Sequence, residues 1–103
     1  MSRLFAYARV STAEQTNDNQ REALKAAGYD PGHRYYEEKI SGRVPALDRP
    51  VFRRMIDKME QGDRLVVLKL DRLGRNAADI LQTVEVLQEQ GISVTLLDGG
   101  AGD

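Results

Sequence analysis

The chain has 103 residues, 41% hydrophobic and 30% charged, with no cysteine, which bounds it to one small soluble domain and excludes disulfides, thiolate metal sites and a cysteine nucleophile. No apolar run approaches the ~20 residues of a bilayer span and the N-terminus has no signal-peptide pattern, so a cytoplasmic protein is expected. The net charge of −1 hides an asymmetry: residues 1–42 are balanced, residues 43–75 carry nine basic against five acidic side chains, and residues 76–103 carry five acidic and no basic ones. The middle third is therefore the part suited to facing an anion.

The opening stretch MSRLFAYARVSTAEQ alternates Leu4, Ala6, Ala8 and Val10 with Phe5, Tyr7, Arg9 and Ser11, which predicts a strand over 3–10. An arginine on so apolar a strand, sharing its face with Ser11, is costly to bury without a negative partner. A helix is predicted within 14–27, with Ala23, Leu24 and Ala27 buried and Gly28 as its left-handed stop. RYYEE at 34–38 reads as an edge strand, and KISGRVPALDR at 39–49 as a mobile loop. Asp48 is placed to cap a second helix that starts at Pro50 and carries Val51, Phe52, Met55, Ile56 and Met59 inward, ending at Gly62. RLVVLKL at 64–70 predicts a strand buried on both faces. A third helix is predicted over 76–90 with Ile80, Leu81, Val84 and Leu87 inward, and a last strand over 92–97.

Strands alternating with helices predict a three-layer α/β sandwich, a mainly parallel sheet flanked by helices in a flavodoxin-like strand arrangement. Ligands of such sheets bind outside the carboxyl ends of the strands. Ser11 leaves the first strand at that edge, and the strand over 64–70 delivers DRLGR, residues 71–75, to the same edge. Central placement of these two strands would gather Arg9, Ser11, Asp71, Arg72 and Arg75 in one crevice. Three arginines, a hydroxyl and a carboxylate make a phosphate site containing a nucleophile. Each residue also has a plainer role open to it. S-T-A-E at 11–14 is a capping box, Arg9 can pair with a core carboxylate such as Asp71, and Arg72 and Arg75 can be solvated loop charges. Helix capping does not explain three arginines aimed at one edge.

Dinucleotide and P-loop signatures are missing, one carboxylate cannot organise a two-metal centre, and the single histidine, His33, lies in a Pro-Gly turn away from this edge. No metal or other cofactor is expected.

The same residues carry a resemblance. YARVST at 7–12, Gln15, Gln20, ISG at 40–42, DRP at 48–50 and LDRLGRN at 70–76 resemble the catalytic domain of the small serine recombinases, the resolvase and invertase family, through the whole chain in order. The resemblance implies a site-specific DNA recombinase whose serine attacks a DNA phosphodiester, leaving a 5′-phosphoserine link and a free 3′-hydroxyl. It implies self-association to a dimer and strand exchange within a synaptic tetramer. Carried over by motif, Ser11 is the nucleophile, and Arg9, Arg72 and Arg75 hold the scissile phosphate. Arg49 is a further phosphate ligand brought by the 39–49 loop, and Asp71 orients an arginine or shuttles a proton. Tyr7, Gln15 and Gln20 form the supporting shell. The chain departs from the pattern at Glu38, where Asp is expected. It is also expected to stop short of the dimerising helix and the helix-turn-helix DNA-binding domain. Residues 1–103 alone are accordingly expected to be a monomer or weak dimer with weak, salt-dependent DNA affinity. The competing expectations are a non-catalytic module that modulates full-length recombinase and a structural remnant of the same fold.

Overall fold

A computed structural model describes residues 2–10 and 20–97. Four strands, β1 (Leu4–Val10), β2 (Tyr35–Lys39), β3 (Arg64–Val67) and β4 (Ser93–Leu96), alternate with α1 (Gln20–Ala26), α2 (Pro50–Lys58) and α3 (Ala77–Glu89). The sheet order is β2-β1-β3-β4 and every pair is parallel, so β1 and β3 are the central neighbours the sequence predicts and β2 is an edge strand.

Period-two alternation sorts the sheet into two cores. Phe5 and Tyr7 of β1 join Leu65 and Val67 of β3 beneath Phe52, Met55 and Ile56 of α2 and Leu87 of α3. Ala6 and Val66 point the other way, against Leu24 of α1. The result is the predicted three-layer arrangement, with α2 and α3 on one face and α1 on the other.

Several boundaries differ from the sequence reading for local reasons. The described part of the first helix ends as predicted. Gly28 has φ 96°, its N–H bonds Lys25 O at 3.0 Å and the Tyr29 N–H bonds Leu24 O at 2.8 Å, the paired bonds of a Schellman stop. Ala23 is only partly buried and Ala27 is exposed, so Leu24 is the apolar residue that the described part of α1 buries in the core. The strand over 64–70 is cut to Arg64–Val67, because pairing with β1 ends at Tyr7–Val67 and the chain turns into a 3₁₀ turn over Leu70–Leu73. On α3, Thr83 and Leu87 take the fully buried positions while Leu81, about 100° around the helix from Ile80, is 63% exposed.

The segment predicted as a mobile loop is tied at several points. It holds a 3₁₀ turn over Ala46–Asp48, the Val44 N–H bonds Ser41 O at 3.2 Å, and the Ala46 N–H bonds Asp79 Oδ2 at 3.0 Å. Asp48 does not cap α2. The 3₁₀ turn absorbs it, Arg49 becomes the N-cap residue without a side-chain cap bond, and the first helical amides are served from another strand.

At the opposite end of the sheet, Asp63 is buried and accepts from Arg3 Nη2 at 2.7 Å, Arg3 Nε at 3.2 Å and the Glu60 N–H at 2.7 Å. The bonds from Arg3, opposed by burial, hold its carboxyl at about 2, below the ordinary 3.8. A depressed acid contributes stability above its ordinary range and loses it as pH falls toward 2. Because Arg3 is 40% exposed, solvent screening keeps that contribution small. Urea midpoints of the wild type and Arg3→Ala should therefore differ at pH 6 and converge between pH 4 and 2; a constant gap would contradict this coupling.

Candidate functional site

The carboxyl ends of β1 and β3 deliver most of the described candidate residues to one edge. Arg9, the penultimate residue of β1, donates from Nη1 to Ile40 O at 2.9 Å, just beyond the end of β2. Gly42 makes room for it: a Cβ there would lie 3.2 Å from Arg9 Nη2. Gln20, buried in the described part of α1, donates from Nε2 to Arg9 O at 3.2 Å and accepts from Arg72 Nε at 3.3 Å. Arg72 sits in the 3₁₀ turn after β3, and its carbonyl accepts from Arg49 Nη1 at 2.9 Å. Arg49 donates further from Nε to Val44 O at 3.0 Å. Arg9, Gln20, Arg72 and Arg49 thus form one connected chain of bonds.

The electrostatics of this chain follow from its partners. The described bonds of the three arginines go to backbone carbonyls and to the Gln20 amide, groups without net charge. They fix the orientation of the guanidinium groups. Arg49 is 0% exposed, and its Nη2 is buried without a hydrogen-bond partner among the described residues. A buried, unmatched N–H of a cation is a place for an anionic oxygen.

Tyr7 supports the site from below. Its hydroxyl donates to Glu38 Oε1 at 2.8 Å and its ring meets Phe52 edge-on at 4.8 Å. Burial and the Glu38 carboxylate push the phenol far above its ordinary value while the Arg49 guanidinium pulls the other way, so Tyr7 stays a neutral donor.

Not every candidate converges. Arg75 is exposed and lines a groove of about 470 Å³ beside α3, together with Leu70, Ile80, Leu81 and Val84. Its backbone N–H bonds Asp79 Oδ2 at 2.9 Å, and its side chain makes no hydrogen bond among the described residues. Ser11 and Gln15 lie outside the described residues, as does the side chain of Asp71. Among the described residues no group of three or more His, Cys, Asp or Glu side chains gathers as a metal site would, and no helix is long and apolar enough to cross a membrane.

Two sets of supporting contacts went unread in the sequence. Glu38 is 6% exposed and binds Tyr7 and the start of α2; period-two alternation in YYEEK, which puts Glu38 on the inward face with Tyr36, is the signal for it. Asp79 binds both Ala46 N and Arg75 N, tying the 39–49 segment to DRLGR, and no local pattern marks that. Gly74 of DRLGR is explained by space. A Cβ there would lie 2.8 Å from Ile80 N and 2.8 Å from Asp79 Oδ2. Gly74→Ala should cost about 1–3 kcal/mol in urea unfolding through that overlap, and an unchanged midpoint would refute the steric account.

A parallel sheet ordered β2-β1-β3-β4, with candidate residues outside the carboxyl ends of β1 and β3, is an open α/β sheet with those residues at its topological switch point. The sequence matches the family described as resolvase, N-terminal domain, over residues 4–103, and the chain belongs to that family. It is 56% identical to a transposon Tn2501 resolvase from Escherichia coli, over the whole chain and 54% of that protein. It is 48% identical to the serine recombinase PinR of Escherichia coli strain K12, over the whole chain and 53% of that protein. With the serine recombinase gin of Escherichia phage Mu it shares 43% identity, over 87% of this chain and 44% of gin. The chain spans about half the length of these curated relatives.

Proposed function

We propose that this chain is the catalytic domain of a serine site-specific DNA recombinase. The Ser11 oxygen attacks a backbone phosphorus of DNA, the bond to the 3′-oxygen breaks, and the serine proton is lost as the 3′-oxygen gains one. The products are a 5′-phosphoserine link and a free 3′-hydroxyl. Attack by a 3′-hydroxyl of the exchanged strand reverses the step and frees Ser11. The covalent link retains the energy of the phosphodiester, so no nucleotide cofactor is required.

The observation that carries this reading is the arginine chain at the carboxyl edge of the sheet. Arg9, Arg49 and Arg72 are linked through Gln20 and backbone carbonyls, and the Nη2 of Arg49, buried without a partner among the described residues, is suited to a phosphoryl oxygen. Planar guanidinium forks bind such oxygens in pairs and stabilise the charge that builds up during transfer. Arg75 joins them on the substrate side and Asp71 orients an arginine or carries a proton. Gln15 and Gln20 hold the surrounding groups in place. Because Arg49 is fully covered, the 39–49 segment gives way when the phosphate arrives.

The partner is a DNA recombination site, bound by a chain that also carries a dimerising helix and a helix-turn-helix domain and assembles into a dimer and then a synaptic tetramer. The reaction takes place in the bacterial cytoplasm. A chain extended with the remaining half of a resolvase relative, given a nicked substrate that traps the cleaved state, should yield a DNA-linked protein band on a denaturing gel. Site binding without any linked band would favour the non-catalytic module.

A further inference from the structure

Glu38 belongs to β2, yet its carboxylate serves the first turn of α2. Oε2 accepts from the Val51 N–H at 2.9 Å, and Oε1 accepts from the Phe52 N–H at 3.2 Å. These are amides that a helix leaves without an internal partner, and an N-cap side chain ordinarily serves them. Here the N-cap residue is Arg49, whose side chain does not do so. The carboxylate is itself fixed by the Tyr7 hydroxyl at 2.8 Å on Oε1. One buried carboxylate therefore joins β1, β2 and α2 immediately after the point where Arg49 enters the helix.

We infer that Glu38 is a positioning residue for Arg49: by capping α2 from the neighbouring strand, with Tyr7 as its anchor, it sets where the buried guanidinium stands at the edge of the sheet. The inference rests on the proposed function only for its bearing on catalysis; the coupling of Glu38 to Arg49 is a property of this domain alone. Two features require it. Pro50, the first helical residue, has no N–H, so the Val51 and Phe52 amides are the first that can orient the helix start. Arg49 reaches Val44 O and Arg72 O from that same point, so a shift in the first turn moves both contacts. Tyr7 also lies close enough to both groups for Glu38 to raise its pKa and Arg49 to lower it.

The test uses residues 1–103 and exchange with solvent followed by NMR. Glu38→Gln places an amide donor where three donors converge, while Tyr7→Phe removes only the anchor and keeps the fold if the first variant does not. In both variants exchange of the Val51 and Phe52 amides and of the Arg49 Nε–H should quicken at least tenfold, with Leu65 and Val66 amide protection unchanged. Quickened Val51 and Phe52 amides beside an unchanged Arg49 Nε–H would make Glu38 a cap and nothing more, overturning the inference. Equal quickening at Leu65 and Val66 would mean general loosening and would overturn it too. In the extended chain, Glu38→Gln should slow formation of the linked band ten- to a hundredfold at unchanged DNA binding. No linked band from the wild type would refute the proposed function and leave the exchange result standing.

Discussion

Replacing Ser11 with alanine in the extended chain is expected to abolish the covalent protein–DNA band while leaving site binding nearly intact. The competing role, a helix cap in S-T-A-E, makes a different forecast. Aspartate is as good a cap as serine, so a pure capping role predicts that Ser11→Asp preserves the reaction. Nucleophilic chemistry predicts none, because Asp sets a negative charge against the phosphate. Stability separates the two as well: the alanine variant should lose only about 0.5–2 kcal/mol, the usual cost of a missing cap. A linked band from Ser11→Ala at wild-type yield would reject the assignment outright.

The second large effect is expected at Arg72. Its Nε is held by Gln20 and its carbonyl by Arg49, so the residue is both a charge and a link in the bonded chain. Arg72→Ala keeps the carbonyl and removes the charge. Single-turnover cleavage should slow by about 10²-fold or more, as for deletion of one donor from a preorganised anion site. Arg72→Lys should recover little of that loss, because an ammonium lacks the fork that engages Gln20 and an oxygen pair together. Gln20→Ala should weaken cleavage less, since it leaves the guanidinium in place but loosens it. Full recovery by lysine would show that charge alone matters and that the described geometry does not.

Period was the strongest signal in the sequence. Alternation in LFAYARV assigned Phe5 and Tyr7 to one core and Ala6 to the other, and continuous burial of Leu65, Val66 and Val67 placed β3 at the centre. The partners of polar groups were much less legible. Asp48 met every local requirement of a cap, yet a carboxylate ten residues earlier took the role, because strand pairing brought Glu38 over the helix start. Leu81 followed the helical pattern but faces solvent, since a stripe read at three- and four-residue spacing leaves its margin undecided by about one position. Arg49 was legible as a basic residue near the site and not as a buried one. Its burial depends on Val44 O and Arg72 O, which only the folded chain brings within reach.

The all-parallel sheet has a consequence for how the chain is made. No two strands are joined by a hairpin, so none can pair by closing a short turn, and each pairing must wait for a full crossover. β1 is synthesised first and lies between β2 and β3, yet its second neighbour ends only at Val67. Until that residue clears the ribosome, the apolar edge from Leu4 to Tyr7 has an unfilled row of backbone donors and acceptors. The growing chain is therefore most prone to sticking to another copy of itself after β2 has docked and before β3 arrives. Pauses in translation between the emergence of β2 and that of Val67 would lengthen that interval, and faster passage would shorten it.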